Sequence, residues 1–125
     1  EIPTLLLTQA GGPSAHLAEL EAQGVLVYRI NSLADGLGLL WEAGIMSLLV
    51  EGGGRLAGAL LGADLVDRYC WIQSPIWLGA DATPGIVGLP STSLMEAERW
   101  GVVERRALGQ DTLLVVDRGA CSPGS

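Results

Sequence analysis

Glu51-Gly52-Gly53-Gly54-Arg55-Leu56-Ala57-Gly58-Ala59 is the stretch of this chain whose residue types and spacing could do chemistry. An apolar run, Ser47 to Val50, leads into it, and Leu56 and Leu60 carry a helical face out of it. Strand, glycine turn and helix together present main-chain N–H groups at a helix N-terminus, where an anionic phosphate is favoured. Gly52, Gly54 and Ala57 satisfy a G-x-G-x-x-A spacing. A Cβ at such glycines would hold the backbone away from a ligand. Glu51 falls at the carboxyl end of the strand, where ligands bind in open α/β sheets. The local pattern also fits a plain tight connection, with Glu51 a carboxylate drawn to the positive end of the helix dipole. A Rossmann-type dinucleotide site expects an acid about 20 residues further on. That region reads Tyr69-Cys70-Trp71-Ile72, so a standard Rossmann NAD site is not supported.

The other candidates are few. His16 is the only histidine and reads as an exposed helix residue, so no Ser/His/Asp set can be assembled. No Cys/His/acid cluster has metal-ligand spacing. Cys70 is expected to be a small core residue and Cys121 lies in a polar tail. A disulfide between them has no motif behind it, and a reducing, cytoplasmic setting fits better. Trp71, Trp77 and Trp100 read as core or interface residues, and Asp67 as a turn cap. The net charge is −7 with no Lys, which argues against a nucleic-acid or anionic-membrane partner. No apolar run reaches the roughly 18 residues a membrane span needs. The chain opens on Glu1 without a signal pattern, as expected of a processed or excised sequence.

The elements that must position the glycine turn follow from periodicity. Thr4 to Thr8 is a strand; Ser14 caps a helix carrying Leu17 and Leu20, with Gly24 as its stop. Val25 to Ile30 is the second strand. Ser32 with Asp35 resembles a capping box for a helix whose apolar face is Leu33, Leu37, Leu40 and Trp41. Gly36 and Gly38 weaken that helix, so packing must hold it, and Gly44 ends it. Ile45 to Val50 is read as the third strand, and the helix after the glycines as closed by Gly62. Alternation of this kind predicts right-handed βαβ crossovers and a parallel sheet.

After Asp67 the pattern changes. Arg68 to Ser74 is a β-rich run limited by Pro75, with Ile76 to Leu78 a bent continuation at a sheet edge. Gly79 to Pro90 is a loop suited to a surface near the ligand, and Ser93 to Ala97 one helical turn. Trp100 to Ala107 and Thr112 to Asp117 flank Leu108 to Asp111 as a hairpin. The expected fold is α/β and three-layered: a mostly parallel sheet with helices on both faces, then a C-terminal antiparallel β-hairpin. Residues 1–117 form the domain and 118–125 a disordered tail.

From Ser47 to Leu61, and on through Leu65-Val66-Asp67, Ile72, Pro75, Leu78-Gly79 and the Leu108-Gly109-x-Asp111 turn, the chain resembles the C-terminal reductase domain of the bacterial bifunctional riboflavin biosynthesis protein. The likeness runs from about Pro3 to Val116 and is weakest before Ser47. It implies a dihydrofolate-reductase-like fold, here incomplete. It also implies NADPH-dependent reduction of 5-amino-6-(5-phosphoribosylamino)uracil to its ribityl form, in a cytoplasmic homodimer. By resemblance Glu51 contacts substrate, while Gly52, Gly53, Gly54, Arg55, Leu56, Ala57, Gly58 and Ala59 form the cofactor-binding turn and helix start. No catalytic residue or metal ligand is implied. Arg55, Arg68 and Ala80 depart from the family pattern. Arg55 either adds a charge-assisted phosphate contact or points to solvent. The family domain has a preceding portion with further contacts, so this fragment alone is expected to be inactive. Two other readings stay open: another dihydrofolate-reductase-like reductase, or a non-enzymatic half-domain that self-associates through an uncovered sheet edge.

Overall fold

The computed structural model describes residues 4–11, 16–97 and 99–119. The chain falls into two compact units, 1–49 and 50–125.

In the first unit, strands β1 (Leu5–Gln9) and β2 (Leu26–Ile30) pair in parallel, Leu5 opposite Leu26 through Gln9 opposite Ile30. Helix α1 (Leu17–Ala22) links them, as the alternation predicts. The expected Ser14 cap lies outside the described residues. Helix α2 (Leu33–Glu42) follows, and both helices pack against β2. Ser32 caps α2: its hydroxyl accepts from the Asp35 N–H at 3.1 Å. Gly36 is buried because the α2 backbone sits directly on the sheet; a Cβ there would lie 3.0 Å from Ile30 and 3.2 Å from Leu7. Leu40 is buried beside it in sequence register, but Trp41 is 60% exposed and lies off the buried face. The buried stripe is therefore narrower than the apolar spacing predicts.

Both helices end alike. Gly24 and Gly44 take positive φ (87° and 85°), and each helix closes with paired bonds: Gly24 N–H to Glu21 and Val25 N–H to Leu20, Gly44 N–H to Trp41 and Ile45 N–H to Leu40. This is the Schellman arrangement, which satisfies carbonyls left over at a helix end.

Residues 45–50 form no strand, contrary to expectation. An extended run becomes a strand only when a neighbour supplies a ladder. None of the described residues does so here, and Met46, Leu48 and Leu49 stand exposed.

In the second unit, helix α3 (Gly54–Gly62) is followed by strands β3 (Arg68–Gln73), β4 (Gly101–Leu108) and β5 (Asp111–Asp117). They form an antiparallel sheet in the order β3-β5-β4. Central β5 carries the buried positions Leu113 and Val115, and α3 carries buried Leu60. The β4–β5 hairpin turns at Gly109-Gln110, with Leu108 opposite Asp111 and Gly109 at φ 64°. Glycine at the first central position is what a two-residue turn of the II′ type requires. The register shifts between Val102 and Glu104, a bulge. Pro75 limits β3, which ends at Gln73. The Ser93–Ala97 turn forms, with the Ser93 hydroxyl donating to the Glu96 carboxylate at 2.8 Å.

Helix α3 ends at Gly62, as expected, but glycine does not make the turn that closes it. Its cap is Ala63, and Asp64 takes the left-handed position at φ 60°, with Asp64 N–H bonded to Leu61 and Leu65 N–H to Leu60. Aspartate is among the few residues that tolerate this conformation. Arg118 fixes it from the other side, reaching the Asp64 carboxylate at 2.7 Å and its carbonyl at 3.0 Å, while the Arg118 N–H donates to the Asp67 carbonyl. Of the segment expected to be a disordered tail, Arg118 and Gly119 are described; residues 120–125, with Cys121, lie outside the described residues.

Candidate functional site

The glycine turn forms the N-terminal end of α3. Gly53 is its N-cap, extended at φ −71° and ψ 173°, and no side chain caps it. The Gly53 carbonyl accepts from Leu56 N–H (3.0 Å) and Ala57 N–H (3.2 Å). The Gly54 and Arg55 N–H groups, at the first two positions, have no acceptor within the helix. They carry the positive end of the helix dipole. A Cβ at Gly53 would meet nothing within 4 Å, so the turn is open on that side. Glu51 is exposed two residues before the cap, and Arg55 is exposed one residue inside the helix.

The other predicted positions separate by face. A Cβ at Gly52 would lie 2.6 Å from the end of the Leu56 side chain, so Leu56 folds back over the turn. Ala57 is half-buried and Ala59 exposed. Gly54, Gly58 and Gly62 are four residues apart and so share one face of the helix. Along that face runs the loop from Pro84 to Leu89. A Cβ at Gly54 would lie 2.6 Å from the Pro84 carbonyl oxygen; one at Gly58 would overlap the Val87 carbonyl; one at Gly62 would touch Leu89 at 3.6 Å. The Val87 N–H also donates to the Gly54 carbonyl at 2.9 Å. Two of the glycines in the G-x-G-x-x-A run and its continuation thus admit the molecule's own backbone. The signal in the sequence was the four-residue repeat of glycine, which the shorter spacing obscured. The loop expected at a surface near the ligand thus lies, at Pro84 and Gly85, beside the first residue of α3.

Away from the turn, His16 is an exposed N-cap 3.6 Å from Glu19. Cys70 is exposed, not a core residue: β3 is an edge strand, and five of its six residues are exposed. Arg68 is directly opposite Asp117 and grips it with two hydrogen bonds of 2.6 and 2.8 Å. Those bonds hold the Asp117 carboxyl below its ordinary value and raise Arg68 above its own. No helix among the described residues is long and apolar enough to cross a membrane.

Comparison with known proteins bears on this arrangement. A family model described as the RibD C-terminal domain matches residues 1–114. The chain belongs to the RibD C-terminal domain family. Among its relatives, the riboflavin biosynthesis protein RibD of Bacillus amyloliquefaciens is 30% identical over 89 residues, covering 68% of this chain and 24% of that protein. The 2,5-diamino-6-ribosylamino-4(3H)-pyrimidinone 5′-phosphate reductase of Aquifex aeolicus is 30% identical over 92 residues, covering 70% of this chain and 41% of that enzyme. The chain therefore spans less than half the length of either relative. In fold it is similar to RibD of Acinetobacter baumannii, with a TM-score of 0.77 at 21% identity over 92% of this chain and 37% of that one. A mixed α/β chain with a parallel pair and an antiparallel sheet fits this family's dihydrofolate-reductase-like fold.

Proposed function

We propose that this chain is the cofactor-binding part of an NADPH-dependent reductase of riboflavin biosynthesis. Its substrate is a ribosylaminopyrimidine 5′-phosphate, reduced from ribosyl to ribityl. The observation that carries this is the uncapped N-terminus of α3, open at Gly53 and preceded by Glu51, in a chain of this family. Two free N–H groups at a helix end suit a phosphate of the dinucleotide, and the Arg55 guanidinium adds a charge-assisted contact. Glu51 accepts hydrogen bonds from a substrate amine or hydroxyl. When bound, NADPH supplies the hydride; the residues of this chain bind, orient and exclude water.

The pyrimidine ring is proposed to be 5-amino-6-(5-phosphoribosylamino)uracil. The Aquifex relative favours a second reading, in which the ring still carries its 2-amino group. The protein is proposed to act in the cytoplasm and as a homodimer. Support for the dimer is the apolar surface left by Trp77, Leu78 and Ile76 after β3, with Trp77 99% exposed.

Titration of the chain with NADPH, followed by fluorescence, tests the cofactor reading; saturable quenching supports it and its absence counts against it. NADPH oxidation in the presence of each of the two pyrimidine phosphates then separates the substrates. Binding without turnover on either supports a cofactor-binding part that lacks the rest of its active site.

A further inference from the structure

We infer that the Pro84–Leu89 loop is a strap that sets the first turn of α3, with Gly58 and Val87 as positioning residues for the phosphate-binding N–H groups. The inference rests on the cofactor reading above for its binding consequence, and on geometry alone for the strap itself. Three approaches, spaced one helical turn apart, run along the loop and the helix, each judged by what a Cβ at the glycine would meet: Pro84 and Gly85 at Gly54, Val87 at Gly58 and, more loosely, Leu89 at Gly62. The middle one is the tightest. Gly58 is buried, and a Cβ there would overlap the Val87 carbonyl oxygen and come within 2.8 Å of its carbon. Backbone has little room to yield, so a methyl group at Gly58 must push the loop away. That movement takes with it the hydrogen bond from Val87 N–H to the Gly54 carbonyl.

The bond matters because of where it lands. Gly54 is the first residue of the helix, and its own N–H is one of the two proposed phosphate donors. With no side-chain cap at Gly53, the loop is what ties this end down. A strap fixing the Gly54 carbonyl fixes the peptide planes that aim the N–H groups. Preorganised donors hold an anion at less entropic cost than donors that must be ordered on binding.

The test compares three variants of the chain. G58A displaces the loop by overlap; V87P removes the donor and sets its ring Cδ against the Gly54 carbonyl, so the loop can no longer hold that end. G62A makes the same glycine-to-alanine change on the same face, where the added Cβ meets Leu89 at an ordinary 3.6 Å. Hydrogen–deuterium exchange at the Leu56 and Ala57 amides is read alongside NADPH affinity. Loss of one strap hydrogen bond is expected to speed exchange at both amides by about tenfold in G58A and V87P and to weaken NADPH by a similar factor, with G62A unchanged. V87P decides the matter if G58A fails to fold. Unchanged exchange in V87P overturns the strap whatever NADPH does. Faster exchange with unaltered NADPH affinity overturns the positioning role. Faster exchange in a chain that binds no NADPH even as wild type leaves the strap standing and removes the cofactor reading instead.

Discussion

Glu51 and Arg55 flank the open end of α3, and the account gives them different work. Replacing Glu51 by Gln keeps the shape but removes the charge that strengthens a hydrogen bond to substrate. E51Q is expected to leave NADPH affinity unchanged and to weaken the pyrimidine phosphate about tenfold, measured by competition with a labelled substrate analogue. Arg68 and Asp117 supply a prediction of another kind. Asp117 titrates lower in the folded chain than in the unfolded one, because Arg68 donates to its charged form. The pair's contribution to stability is therefore complete above the unfolded carboxylate value of about pH 4 and is lost as the pH falls through the lower folded value. D117N lacks this term, so the stability gap between wild type and D117N, from urea melts, should narrow on acidification. Residue types alone pointed to Glu51 as a candidate and to the glycine turn that forms the start of α3. They could not reveal the Arg68 partner, which lies 49 positions away across a sheet register. They also misjudged Cys70, since an apolar strand looks the same in sequence at an edge as at a centre.

Helix caps were the most legible elements. Ser32 before Asp35, and glycine after α1 and α2, are short-range signals whose geometry is set by a few adjacent residues. The end of α3 was legible at Gly62, its last helical residue, but the left-handed turn that closes it falls at Asp64, where no glycine marks it. Two stability predictions follow from this distinction. Gly38 lies on the exposed side of α2 with nothing within 4 Å of its Cβ position. G38A should therefore raise stability by roughly 0.5–1 kcal/mol through helix propensity and reduced unfolded-state freedom. At Asp64 the left-handed backbone decides: D64A should be less stable than D64G by about 1 kcal/mol, both read from thermal melts. Equal stability of the two would mean that the left-handed turn does not persist in solution.

At the scale of the molecule, strand-helix alternation made the parallel β1–β2 pair legible and the short Leu108–Asp111 loop made the β4–β5 hairpin legible, because both depend on local connection lengths. The placement of β3 at the edge beside β5 was not legible, since non-local pairing leaves no periodic mark. The failure of residues 45–50 to pair has the same cause: hydrophobic pattern specifies a willing strand, and a partner must come from elsewhere. The homodimer reading predicts a concentration-dependent mass in sedimentation equilibrium, reduced toward the monomer by W77S; a monomer at all concentrations would contradict it. The central claim is that the bare N-terminus of α3 holds a cofactor phosphate. Amide NMR of the chain titrated with NADPH tests it directly. The account predicts saturable shifts largest at Gly53, Gly54 and Arg55; shifts confined to other residues, or none, would contradict it.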